Sequence, residues 1–214
     1  MTSIFPARSE ISFDSRLTTL KSAPAPLLPP GKSWDPALTD KISTLYLHPA
    51  LEALLHILNL DLPSSHFLVR HMQSSPEHTA MYLHGILHRI EGDMDNARAW
   101  YSDVSESEVF ARIWGEASED EKGEVSDVEK KVPPQSKARD FLDGVEGLIK
   151  KGAGSREELE SESRREVEGV LKFCMDKFGT ERREDASKVW VQPSKEISEK
   201  GQDMVIGGEG IRQF

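Results

Sequence analysis

His84, His88 and Glu91 stand at i, i+4 and i+7 within the stretch Met81–Tyr101. On a helix those positions share one sector, with the two imidazoles about 40° apart around the axis. A histidine pair at this spacing can bind a divalent transition metal, and Glu91 would complete a two-His, one-carboxylate set. Such a site would support metal-assisted hydrolysis or oxidation. Without a metal, the same side chains can hold a ligand or exchange protons with one. A third reading is packing, with the imidazoles at a helix edge and bonded to Glu91, Asp93 or backbone carbonyls. Zinc metalloproteases carry a glutamate directly after the first histidine of such a pair; Gly85 stands there instead.

The elements that must position these groups are helices. Leu83, Ile86, Leu87 and Ile90 make an apolar stripe beside the histidines. Ser75–Pro76–Glu77 predicts the start of their helix, with Ser75 as cap, and Gly92 predicts its end. Asp93 can then cap a second helix carrying Ala97, Trp100 and Tyr101. Further stripes occur over Leu51–Leu58, Val109–Trp114, Ala138–Ile149 and Val167–Phe178, with Ser155–Glu158 as a capping box before the last. No alternating strand pattern appears in the middle of the chain. The expectation is therefore an all-α, single-domain bundle of seven to nine helices over residues 34–179. Residues 1–33 predict an extended Pro-rich arm, with Leu27 and Leu28 laid over the domain surface. Residues 118–134 predict an acidic loop, and 180–214 a loose C-terminal tail, with Val189–Val191 docked on the core.

Gly85, Gly92, Ala97 and Tyr101 are spaced like the Gly, Gly, Ala and aromatic positions of a tetratricopeptide repeat. That resemblance implies a closely packed helix-turn-helix. No second copy follows about 34 residues away, so a stacked repeat array is not implied. The wider segment His84-x-x-x-His88-Arg89-x-Glu91-Gly92-Asp93-x-x-Asn96-Ala97-x-x-Trp100-Tyr101 resembles a motif of an uncharacterised, mainly fungal family of hypothetical proteins. The resemblance covers about twenty residues and transfers no reaction. It implies that His84, His88, Arg89, Asp93, Asn96 and Trp100 share one ligand-binding pocket.

The remaining histidines lie between His48 and His78 and have ordinary readings as boundary, surface or half-buried residues. Cys174 sits on an apolar stripe, which argues for core rather than nucleophile. Gly207–Gly210 lacks the flanking strand and helix of a phosphate loop.

Composition narrows the function classes. The chain has 214 residues and a formal net charge of −10. Between Asp103 and Glu129, ten acidic residues face two basic ones. That balance argues against nucleic acid and anionic membrane as partners. One cysteine excludes an internal disulfide and favours a cytoplasmic or nuclear setting. No apolar run approaches the roughly 20 residues of a membrane span, and no secretory h-region opens the chain. The leading expectation is a non-catalytic helical protein with a groove for a protein or small-molecule ligand around His84–Trp100. The alternative is a metal-dependent or histidine-based hydrolase or oxygenase using His84, His88 and Glu91.

Overall fold

The computed structural model describes residues 12–115 and 133–190, all of them in helices, turns and irregular segments. The described α-helices are α1 (Phe13–Leu20), α2 (Thr39–Ser43), α3 (Pro49–Leu58), α4 (Leu62–Arg70), α5 (His78–Glu91), α6 (Met94–Asp103), α7 (Glu108–Trp114), α8 (Pro134–Lys151) and α9 (Arg156–Phe178). The architecture is all-α, as the stripes predict. Short polar residues start four of these helices by accepting an orphan N–H of the first turn. Asp61 accepts from Ser64, Asp93 from Asn96, Ser107 from Phe110 and Ser155 from Glu158. His48 plays this part for α3, its Nδ1 accepting from Ala50 N at 3.2 Å.

One predicted start differs. α5 opens at His78, and Glu77 is its N-cap with no side-chain bond. Glu77 N donates to Ser74 O at 3.0 Å and His78 N to Pro76 O at 2.8 Å, so residues 74–78 form a turn ahead of the helix. Ser75 therefore cannot cap it.

The apolar stripes meet in a single core. α3 lies at its centre, against α1, α2, α4, α5 and α9. α6 packs on α5 and α8, and α7 on α5, α8 and α9. Leu51, Leu54, Leu83, Val145 and Val170 are fully buried together, so no boundary near residues 118–134 divides the core. The loop expected over residues 118–134 lies outside the described residues as far as 132; Pro133 is the N-cap of α8 and Pro134 its first residue.

The N-terminal arm is more built than the sequence suggests. Phe13–Leu20 is helical, and Leu17, Leu20, Ala23 and Leu27 are buried in or beside the core. Beyond α1 the chain runs irregularly across the bundle, as expected. It is strapped at both ends. Arg164 Nη2 donates to Ala23 O at 2.9 Å, and Ser163 Oγ to Pro26 O at 3.0 Å. Farther on, Trp34 N donates to Asn59 O at 2.8 Å, and the Asn59 amide exchanges two bonds with the Asp35 backbone.

At the other end, residues 180–190 are also held. Arg183 N donates to Tyr46 O at 2.7 Å, and Trp190 meets His71 edge-on at 5.0 Å between centroids. Val189 and Trp190 pack on the core as anticipated. The rest of the predicted tail, including Gly207–Gly210, lies outside the described residues.

Candidate functional site

α5 divides its polar residues between two faces. His84 and His88 point to one side, where their rings stack at 4.8 Å. Trp100 of α6 stacks on the other face of His84, at 4.7 Å and 28°. Gly85 makes this approach feasible: a Cβ there would sit 3.0 Å from Trp100 Cβ and 2.9 Å from the Tyr101 ring. The turn between the helices is set by Gly92 at φ 84°, a left-handed position that glycine occupies without steric conflict. Asp93 N then donates to His88 O and Gly92 N to Arg89 O, satisfying the last carbonyls of α5.

α4 supplies a third imidazole. His66 lies 5.2 Å from His84 and 5.6 Å from His88, centroid to centroid, in edge-on geometry. Its Nε2 is 2.9 Å from Glu91 Oε1. Glu91 also approaches His88 Nδ1 at 3.6 Å, and Asp93 Oδ2 reaches the same nitrogen at 3.5 Å. Asn96 Nδ2 donates to Asp93 Oδ2 at 2.6 Å. His84, His88, Glu91, Asp93, Asn96 and Trp100 thus form one contiguous group, joined by His66.

Arg89 does not belong to it. About 100° around the helix from His88, it points into the core and is fully buried. Its guanidinium donates to Glu166 Oε2 at 2.9 Å, to Ser163 Oγ at 3.3 Å and to Pro26 O at 3.2 Å. Glu166 Oε1 accepts from Tyr82 and Tyr101, and Trp114 Nε1 donates to Tyr82 OH. The pocket role expected of Arg89 is corrected to a sealed one: a buried guanidinium needs a paired carboxylate, and α9 provides it.

The environment of His84 and His88 favours their neutral forms. Burial pushes His84 down to about 3, and the neighbouring His88, His66 and Arg70 act in the same direction. Burial also lowers His88, against the opposing pull of Asp93 and Glu91. The hydrogen bond from His66 holds the Glu91 carboxyl below the ordinary glutamate range. The Nδ1 atoms of His66, His84 and His88 are all buried and make no hydrogen bond. Even so, no three His, Cys, Asp or Glu side chains among the described residues are arranged to hold a metal ion. Cys174 is buried and its thiol is pushed up to about 12, chiefly by that burial, which fits a core residue.

Beside the cluster lies an open groove of about 1060 Å³. One wall is the strapped arm at Pro29–Ser33; the other is α4 and the turn before it. His66 and Glu91 form the part of its lining that touches the other imidazoles. Phe67 projects into this region with 64% of its surface exposed. Leu60, in the α3–α4 turn, holds a left-handed φ of 57° that costs a branched residue roughly 1 kcal/mol. The strain is supported by Asp61 N donating to His56 O at 2.8 Å and Leu60 N to Ile57 O at 2.9 Å.

Sequence reasoning missed His66, Phe67 and the arm wall. His66 is 18 positions before His84 and sits on another helix, so no periodicity links them. The proline pair at Pro29–Pro30 did mark an extended segment, but not the helix it would face. No family model, curated protein or solved structure matches the chain.

Proposed function

We propose that this chain is a helical binding protein whose ligand or partner occupies the groove beside the histidine cluster. The observation that carries the reading is the His66–Glu91 pair. It belongs at once to the groove lining and to the imidazole group behind it. A concave site with a few convergent polar groups on an otherwise apolar lining is the usual form of a ligand site. The α5–α6 pair supplies its support as a tetratricopeptide-like helix pair would, with Gly85 at the close approach to Trp100 and Tyr101, Ala97 buried and Tyr101 anchored to Glu166.

A metal-dependent or histidine-based enzyme is the second reading, favoured by the three buried Nδ1 atoms that make no hydrogen bond. Two features weigh against it. Metal ligation needs ring nitrogens converging at about 2.0–2.1 Å from one ion, and no such triad is in place among the described residues. A base held near 3, like His84, is too weak to take protons efficiently at neutral pH.

A thermal-shift screen of the full chain against metabolites and capped peptides tests the first reading. Stabilising compounds should lose their effect in His66→Ala and Phe67→Asp. They should keep it in Arg112→Glu, since Arg112 pairs with Asp176 and does not line the groove. Hits indifferent to the groove variants would count against it. Elemental analysis of untagged protein tests the second: stoichiometric metal lost on His84→Ala would favour the enzyme.

A further inference from the structure

We propose that the groove takes an extended peptide segment carrying a carboxylate next to a large apolar side chain. This rests on the binding reading above and specifies the occupant.

Charge selects the carboxylate. Lys32 and Arg70 line the groove, and both are exposed. Neither makes an ion pair or side-chain hydrogen bond among the described residues. The two carboxylates of the lining are already engaged. Asp61 accepts from Thr39 Oγ1 at 2.7 Å and from Ser64 N at 3.3 Å, and Glu91 is paired with His66. The lining thus carries two cations and two carboxylates, and the charges left without a partner are the two cations, on a chain whose net charge is −10. An anionic segment repelled by most of the surface meets here a guanidinium free to form a two-pronged bond.

The apolar part follows from Phe67. An aromatic ring this exposed stands beside Pro63 and Arg70 and stacks, tilted, on His71 at 4.9 Å. A large side chain laid against it removes apolar surface from water on both partners.

The backbone argues for a peptide over a small molecule. The N–H groups of Gly31, Lys32 and Ser33 have no hydrogen-bond partner among the described residues, and neither do the carbonyls of Pro29 to Ser33. They form a row of main-chain donors and acceptors along one wall, which an extended chain can match. The groove's volume also lies at or above the ~300–1000 Å³ usual for small-ligand pockets. The straps at Ala23, Pro26 and Trp34–Asp35 hold the wall in place before binding, so little order remains to be imposed.

The test is selection of random decapeptides displayed on phage, using the full chain. Fluorescence anisotropy then follows the winning sequence as a capped, labelled peptide. Winners should place Asp or Glu within two or three positions of Phe, Trp or Leu. Their affinity should fall at least about tenfold in Lys32→Glu/Arg70→Glu and in Phe67→Ser, and should weaken as NaCl rises. Repeating the selection on the charge-reversed variant should enrich Lys and Arg. Both variants are at exposed positions, and unchanged thermal midpoints will show that they fold. Winners that need the groove but are neutral or basic overturn this proposal and leave the binding reading intact. A selection with no groove-dependent winner also overturns it; groove-dependent small molecules in the thermal-shift screen would still sustain the broader reading.

Discussion

His88 and Arg89 are neighbours in the chain, yet α5 sends them into opposite kinds of environment. Arg89 enters a sealed network in which Glu166, Tyr82, Tyr101, Ser163, Trp114 and a backbone carbonyl meet most of one another's hydrogen-bonding needs. Only its Nε is left without a partner. His88 joins a group at the rim of a groove in which three imidazoles each keep a buried nitrogen unbonded. A network closed on itself fixes where helices and arm sit; a group left open is available to something else. The two are also coupled. By holding Pro26 O, Arg89 and Ser163 anchor the arm three residues before it becomes the groove wall.

The sharpest break of that contrast is in the network. Glu166→Ala leaves a buried guanidinium unpaired and should destabilise the fold by about 3–5 kcal/mol, read from the denaturant midpoint. Arg89→Met/Glu166→Leu should lose less than the two single changes added together, because both charges leave at once. Additive losses would show that the pair acts as independent contacts.

Acid distinguishes the regions next. His84 and His48 fall to about 3 and about 4 in the fold, burial being the main cause in each. Each is held neutral when folded but takes up a proton near 6.5 when unfolded. Their contribution is present above 6.5 and is lost as pH falls toward 4, by up to about 1.4 kcal/mol per pH unit each. Glu52 works the other way. Burial raises it to about 7, so it favours the fold as pH drops from about 7 to 4.5. Urea midpoints should decline between pH 6.5 and 4, and Glu52→Gln should steepen the decline. A flat profile would mean that the histidines are not buried neutral.

The turn joining the two regions gives a smaller effect. Gly92→Val must hold a positive φ and should cost on the order of 1–2 kcal/mol. Asp93→Ala, which removes the cap on Asn96 N, should cost roughly 1 kcal/mol. Unchanged midpoints in both variants would show that neither the φ nor the cap matters to the fold.

This turn was legible in the sequence because its parts are local: glycine after an apolar stripe, aspartate at the cap, both within one span of residues. The apolar faces of α3, α5, α8 and α9 were legible for the same reason. What α5 faces across space was not. Nothing in the spacing of His84 and His88 distinguishes Arg89 as the buried partner of Glu166, 77 positions away. Glu166 itself reads as one more charge on an acidic helix, and His66 as one more surface histidine. Such long-range partners depend on how helices are set against each other, which is a property of the packed core. The arm shows the same limit: its prolines announce an extended path, while the burial of Leu27 depends on what lies beneath it.

The smallest expected change in stability carries most of the contrast. His66→Ala removes a half-buried imidazole whose one hydrogen bond goes to Glu91, a carboxylate about a third exposed. Ion pairs in that setting are worth about 0–1 kcal/mol, and the unbonded Nδ1 offers no second contact to lose. The denaturant midpoint should therefore shift by less than about 1 kcal/mol, far below the loss at Glu166. Binding at the groove should weaken by about tenfold or more, since Glu91 Oε1 loses its hydrogen bond and turns a bare carboxylate oxygen to a lining proposed to receive a carboxylate. His66→Gln, which can still donate to Glu91, should recover much of that affinity. A stability loss as large as that of Glu166→Ala, with no ligand affected, would place the imidazoles with the sealed network and restore packing as their role.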